Sequence, residues 1–272
     1  MSPKNAYKKK SLELVALALT FLVSFGLLFY VLFSFGCEQT TAAEGDVQTV
    51  DYSFAQEIIK LPFTEALAFC LAPDGTFWIA VKGKLHHVNK HGKSLNEMKH
   101  PGTVTALELS DNVLYSATAD SVFKLDLKQN NTQNVPFIKL KQGSLITSLA
   151  ISGERLFLAD CAHKMVLAYD FAGKELWQSK GNGGFVIPSP YFCLCADGDD
   201  GIWVTNPGHR RLERYDKDGR YLSMWEPNKS VKFIGCCNPA KMKILPDGTV
   251  VTLEKGMVRS RLFSPAGNVT KI

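Results

Sequence analysis

Two hydrophobic patterns divide the chain. From Leu14 to Gly36 the stretch LVALALTFLVSFGLLFYVLFSFG carries no charge, and about 20 apolar residues in a helix suffice to cross a bilayer's hydrocarbon core. Beyond Thr49 the pattern changes to short runs in which apolar and polar residues alternate, the signature of strands buried on one face, with no long helical periodicity between them. The chain therefore divides into a basic cytoplasmic tail (1–12), a transmembrane or signal-anchor helix (13–36), a small, polar linker (37–48) and an all-β domain (49–272).

The strands repeat. An alternating strand, a turn rich in Asp and Gly and a second strand occur at Leu85–Lys93, Val122–Lys128, Val166–Lys174, Leu212–Arg220 and Arg261–Asn268. Ahead of each lies another hairpin, clearest at Leu71–Ala80 and Ile244–Thr252 and weakest at Leu107–Tyr115. The spacing, about 40 to 48 residues, is that of a four-stranded propeller blade. It predicts a β-propeller of about five blades, starting near Leu67, Val104, Ile146, Tyr191 and Ala240.

Two blades resemble the NHL-repeat family. Asp200-Gly201-Ile202-Trp203-Val204-Thr205-Asn206-Pro207-Gly208-His209-Arg210-Arg211 through Tyr215-Asp216 is similar to the family's strand, its turn of Asp or Asn followed by His-Arg, and its strand ending in an aromatic-Asp pair; Leu158–Lys164 through Tyr169-Asp170 is a second copy. The resemblance implies a propeller that commonly closes with six blades. Here about five blades are recognisable, which leaves open a shortened or incomplete six-bladed ring, an open propeller or one of fewer blades, to which 49–61 contributes at most one closing strand.

Charge settles orientation and excludes one class of partner. Of the 31 basic residues, Lys4, Lys8, Lys9 and Lys10 precede the hydrophobic stretch, so much of the formal +5 belongs to the tail. By the positive-inside bias that tail stays cytoplasmic, placing the domain on the extracytoplasmic side, periplasmic or extracellular. No Lys/Arg run interleaved with aromatics suggests nucleic-acid binding. A second route to the membrane is lipidation of Cys37, which follows the small residue Gly36.

The seven cysteines then lie where disulfides are permitted. Cys193 and Cys195 share one face of a strand, and Cys236 and Cys237 precede the corresponding strand of the next blade, so the four are expected to cluster, as disulfides or buried thiols ahead of a sulfur metal or redox site. Cys70 and Cys161 read as core residues. Asp160, His163, Asn206, His209 and Glu254 are candidate ligands for a small molecule or a divalent metal, because propeller hydrolases and lyases gather such groups at a channel mouth. Their recurrence from blade to blade instead predicts turn-stabilising groups. His86 and His87 alternate across a strand and cannot face one ligand. With no G-x-S-x-G, phosphate loop or H-E-x-x-H present, the leading expectation is a binding or scaffold module for a protein or small ligand. A metal-dependent hydrolase or lyase and a cysteine redox protein are its rivals.

Overall fold

The computed structural model describes residues 35–38, 51–54, 61, 63, 65–128, 135–198, 201–257 and 259–272. The domain is a five-bladed β-propeller of five four-stranded antiparallel sheets, each following chain order. The first strands of the blades are Ala66–Leu71, Ala106–Ser110, Ile146–Ser152, Leu194–Asp197 and Lys241–Ile244. Those of consecutive blades lie side by side, which makes them the innermost.

In each blade no strand is more buried than the second, and the fourth is the least buried. The first strand of blade one alternates buried and partly buried residues, and the second strand of blade five, Val250–Glu254, is buried throughout. The fourth strand of blade one, Ser94–Lys99, is almost wholly exposed. A strand enclosed by neighbours on both faces loses its polar alternation, and an outer strand needs none of the apolar residues.

The Asp/Gly turns have a common cause. Asn89, Asp170 and Asp216 each accept with Oδ1 from the backbone N–H groups two and four residues on, at 2.9 Å. Each turn closes on a glycine at positive φ, Gly92, Gly173 and Gly219, a conformation that costs other residues steric strain.

Apolar clusters join the blades. Trp78 and Leu85 of blade one pack with Leu107 and Leu114 of blade two; Tyr115 and Val122 pack with Leu156 and Leu158; Phe157 and Val166 with Leu194 and Val204; and Cys193 and Leu212 with Met242 and Phe263. The other face of blade one, with Phe77, Ile79 and Val88, is covered by Leu61 and Phe63.

The ring-closing strand expected from 49–61 takes another form. Asp51–Phe54 pairs antiparallel with Phe35–Glu38, Cys37 opposite Tyr52, in a two-stranded sheet of its own, while blade five completes itself with Val269–Lys271. Leu61 and Phe63 act as an apolar cover for blade one rather than as a blade strand. Residues 1–34, and with them the predicted membrane segment but for its last two residues, lie outside the described residues. Among the described residues no helix is long and apolar enough to cross a membrane.

Candidate functional site

Asp160, Asn206 and Glu254 are equivalent: each ends the second strand of its blade and stands opposite the start of the third, at Met165, Arg211 and Arg259. All three are buried, at 1%, 0% and 2% exposure, which makes their partners decisive. Asp160 accepts from His163 Nδ1 at 2.8 Å and from the Leu145 and His163 amides. Burial raises its pKa, but the hydrogen bonds from His163 and the amides outweigh burial and hold it below the usual carboxylate value. Asn206 accepts from the Val186 N–H and donates to the Gly184 carbonyl and to buried Glu213, which also binds Arg211 and the Tyr215 hydroxyl. Glu254 accepts from Arg259 and from buried Arg261, whose guanidinium reaches the Val231 carbonyl. Each group therefore serves the turns of its own blade and the connector packed on it. His209 is exposed on the short 3-10 turn Pro207–His209. Among the described residues, no group of three or more His, Cys, Asp or Glu is placed to hold a metal ion.

Cys193 and Cys195 are buried in one cluster with Phe233, Met242 and Phe263. Cys193 Sγ receives the Ser148 hydroxyl at 3.8 Å, and Cys195 Sγ the Ile244 N–H at 3.4 Å. Cys236 and Cys237 lie instead in a turn of the connector between blades four and five, their sulfurs 3.5 Å apart. All four, with Cys70 and Cys161, are free thiols.

At one level of the inner strands, strand pairing makes Cys70, Glu108, Ala150, Cys195 and Lys243 equivalent: they stand opposite Trp78, Tyr115, Phe157, Trp203 and Val251. Burial pushes the Glu108 carboxyl up to about 7, with Lys243 pulling it down. Burial and then Glu108 raise the Cys70 thiol; burial raises Cys195, which Lys243 offsets in part. These thiols stay protonated at neutral pH and are poor nucleophiles. Lys241 crosses from blade five to donate to the Thr147 carbonyl of blade three at 3.0 Å.

Between blades one and two lies an open cleft of about 570 Å³. Its polar wall is a relay: Thr76 Oγ1 donates to Asp74 Oδ1 at 2.7 Å, and His87 Nε2 contacts Thr76 Oγ1 at 2.7 Å. The His87 ring stacks on Trp78, centroids 4.6 Å apart and nearly parallel. Burial holds His87 below its usual pKa, so it is neutral at pH 7. Asp74 is held below its own usual value, chiefly by the Thr76 hydroxyl and amide. Asp111 and Asp126 add two carboxylates, Met98, Leu109 and Leu125 an apolar floor, and no Lys or Arg lines the space.

Of the inner layer only Cys195 was among the sequence candidates, and of the cleft none. For Glu108 and Lys243 a signal was present, since charged residues occupy inner-strand positions that other blades fill with Cys or Ala. The cleft joins residues from two blades, and only packing brings them together. His86 and His87 do face apart as their alternation requires: His86 contacts Phe63 and Glu97, His87 contacts Trp78 and Thr76.

No protein-family model matches the chain, and no curated protein matches it in sequence. Solved structures do match in shape. The WD40 β-propeller domain of Doa1 is 13% identical with a TM-score of 0.57, over 90% of this chain and 78% of that one. Virginiamycin B lyase from Staphylococcus aureus is 13% identical with a TM-score of 0.53, over 76% and 69%. Regucalcin from Agrobacterium tumefaciens, described as a calcium-binding protein, is 16% identical with a TM-score of 0.54, over 75% and 72%. Likeness at such identities shows the fold alone: the chain is similar to β-propellers of unrelated activities.

Proposed function

We propose that this chain is an NHL-like binding propeller, held at a membrane by its N-terminal segment with the propeller on the extracytoplasmic side, and that it takes a small ligand in the cleft between blades one and two. The observation that carries the reading is the composition of that cleft. Three carboxylates, a neutral imidazole stacked on an indole and an apolar floor, with no cationic side chain, suit an ammonium or guanidinium group on an apolar stem. The hydrolase or lyase rival needs carboxylates and imidazoles converging at one mouth. Asp160, Asn206 and Glu254 are instead engaged within their own blades.

Calorimetric titration of the full-length protein with alkylamines and alkylguanidines tests the ligand. Saturable binding, weakened about tenfold by Asp111→Asn, is expected, equivalent to about 1.4 kcal/mol. Absence of binding across the series, or binding indifferent to Asp111→Asn, refutes the assignment. For anchoring, the uncharged Leu14–Gly36 stretch predicts retention in the membrane fraction after carbonate washing; release by high salt alone contradicts it.

A further inference from the structure

The connector between blades four and five carries adjacent cysteines in an arrangement that a strand forbids. Neighbouring residues of a strand point to opposite faces, as His86 and His87 do. Cys236 and Cys237 share a turn instead, and their sulfurs come within 3.5 Å, with Cys236 exposed and Cys237 partly buried. Two features pin the turn. Gly235 enters it at φ +82°, and the side chain of Asn238, itself buried, donates to the carbonyls of Ile234 and Lys255 and accepts from the Lys255 N–H. The amide thus ties the turn's entry to its exit and both to blade five. A disulfide needs about 2.05 Å between sulfurs, so closure asks for a movement of about 1.5 Å. Cys70, Cys161, Cys193 and Cys195 are buried or partly buried in the domain.

We propose that Cys236 and Cys237 form a redox-active vicinal dithiol, which closes reversibly to a disulfide by exchange with a low-molecular-weight disulfide of the glutathione class. The exposed Cys236 thiolate attacks one sulfur of the oxidant, forming a mixed disulfide and releasing one thiol. The Cys237 thiolate then attacks Cys236 Sγ, forming the intramolecular bond and releasing the second thiol. Two cysteine thiols are oxidised, the oxidant is reduced to two thiols, and the two cysteine protons pass to the released thiolates. The product is a tight ring within the turn beside Asn238, so oxidation acts on the element that docks the connector on blade five. This inference is independent of the ligand cleft.

The test equilibrates the full-length protein in buffers of reduced and oxidised glutathione, alkylates the remaining thiols and maps tryptic peptides by mass. Cleavage after Lys232 and Lys241 isolates Cys236 and Cys237 from every other cysteine. The expected result is a Phe233–Lys241 peptide that loses two hydrogens as the buffer becomes oxidising and regains two alkyl groups on reduction. Cys236→Ser and Cys237→Ser should each abolish that species and accumulate a glutathione adduct on the remaining thiol. Both lie in the connector turn, Cys236 exposed and Cys237 partly buried, and unchanged circular dichroism confirms folding. A peptide that stays doubly alkylated in every buffer overturns the proposal, as does a disulfide from either residue to another cysteine.

Discussion

Blades three to five and blades one and two treat one position differently. At the end of the second strand, the first group places Asp160, Asn206 and Glu254, each buried and bonded to its own turn and connector. The second group places Val81 and Thr118 there, and Thr118 bonds only locally, to Asp120 and the Ser121 carbonyl. Blades one and two instead meet around a cleft, where the Asp74–Thr76 turn of blade one, which has a counterpart in Asp247–Thr249 of blade five, also meets His87 Nε2. A polar group that recurs at one position answers a need common to the blades that carry it, which is to satisfy a buried turn. One that occurs once needs a different explanation.

The largest test of this contrast is Glu254→Ala. It leaves Arg261 and Arg259 facing an apolar void, and loss of one partner of a buried ion pair costs about 3 to 5 kcal/mol. Thr118→Ala, at the equivalent place in blade two, should cost only about 1 kcal/mol. Urea unfolding midpoints compare the two, and equal losses would erase the distinction.

Next comes Glu108, whose pKa is raised to about 7 in the folded chain. An acid with a raised folded pKa binds more protons folded than unfolded, so stability is greatest below its unfolded value near 4.5 and falls as pH rises towards 7. Glu108→Gln should remove that slope and stabilise the protein at pH 8 by about 1 to 3 kcal/mol. A wild-type profile flat between pH 5 and 8 would show that the inner layer does not penalise the charge.

Smaller effects are expected at the outer strands. Trp177 and Trp225, in blades three and four, donate to the Lys217 and Pro265 carbonyls of the following blade at 2.7 and 2.8 Å, and no Trp stands on the outer strands of blades one and two. Each Trp→Phe change should cost about 0.5 to 1.5 kcal/mol in thermal unfolding. The least costly substitution is Asp111→Asn at the exposed cleft rim, which should leave stability within about 0.5 kcal/mol. A larger loss would make the rim structural, like the strand ends of blades three to five.

Much of this was legible from local pattern. Period-two alternation and the Asp/Gly turns located five blades, with starts near Leu67, Val104 and Ile146 that match Ala66, Ala106 and Ile146 in the structure, because strand face and turn geometry depend on residues close in sequence. The recurrence of Asp160 and Asn206 likewise pointed to a role within each blade. Tertiary structure decided what depends on contacts between blades: that Leu61 and Phe63 cover blade one, that Glu108 shares a level with Cys195 and Lys243, and that Asp74 and Asp126 border one cleft. It also separated Cys193 and Cys195, in the core, from Cys236 and Cys237, in a connector turn. Repeat length alone predicted that equivalent strands adjoin, but the path of a connector is set by the side chains it packs against, here Asn238 on blade five, and no periodicity records that.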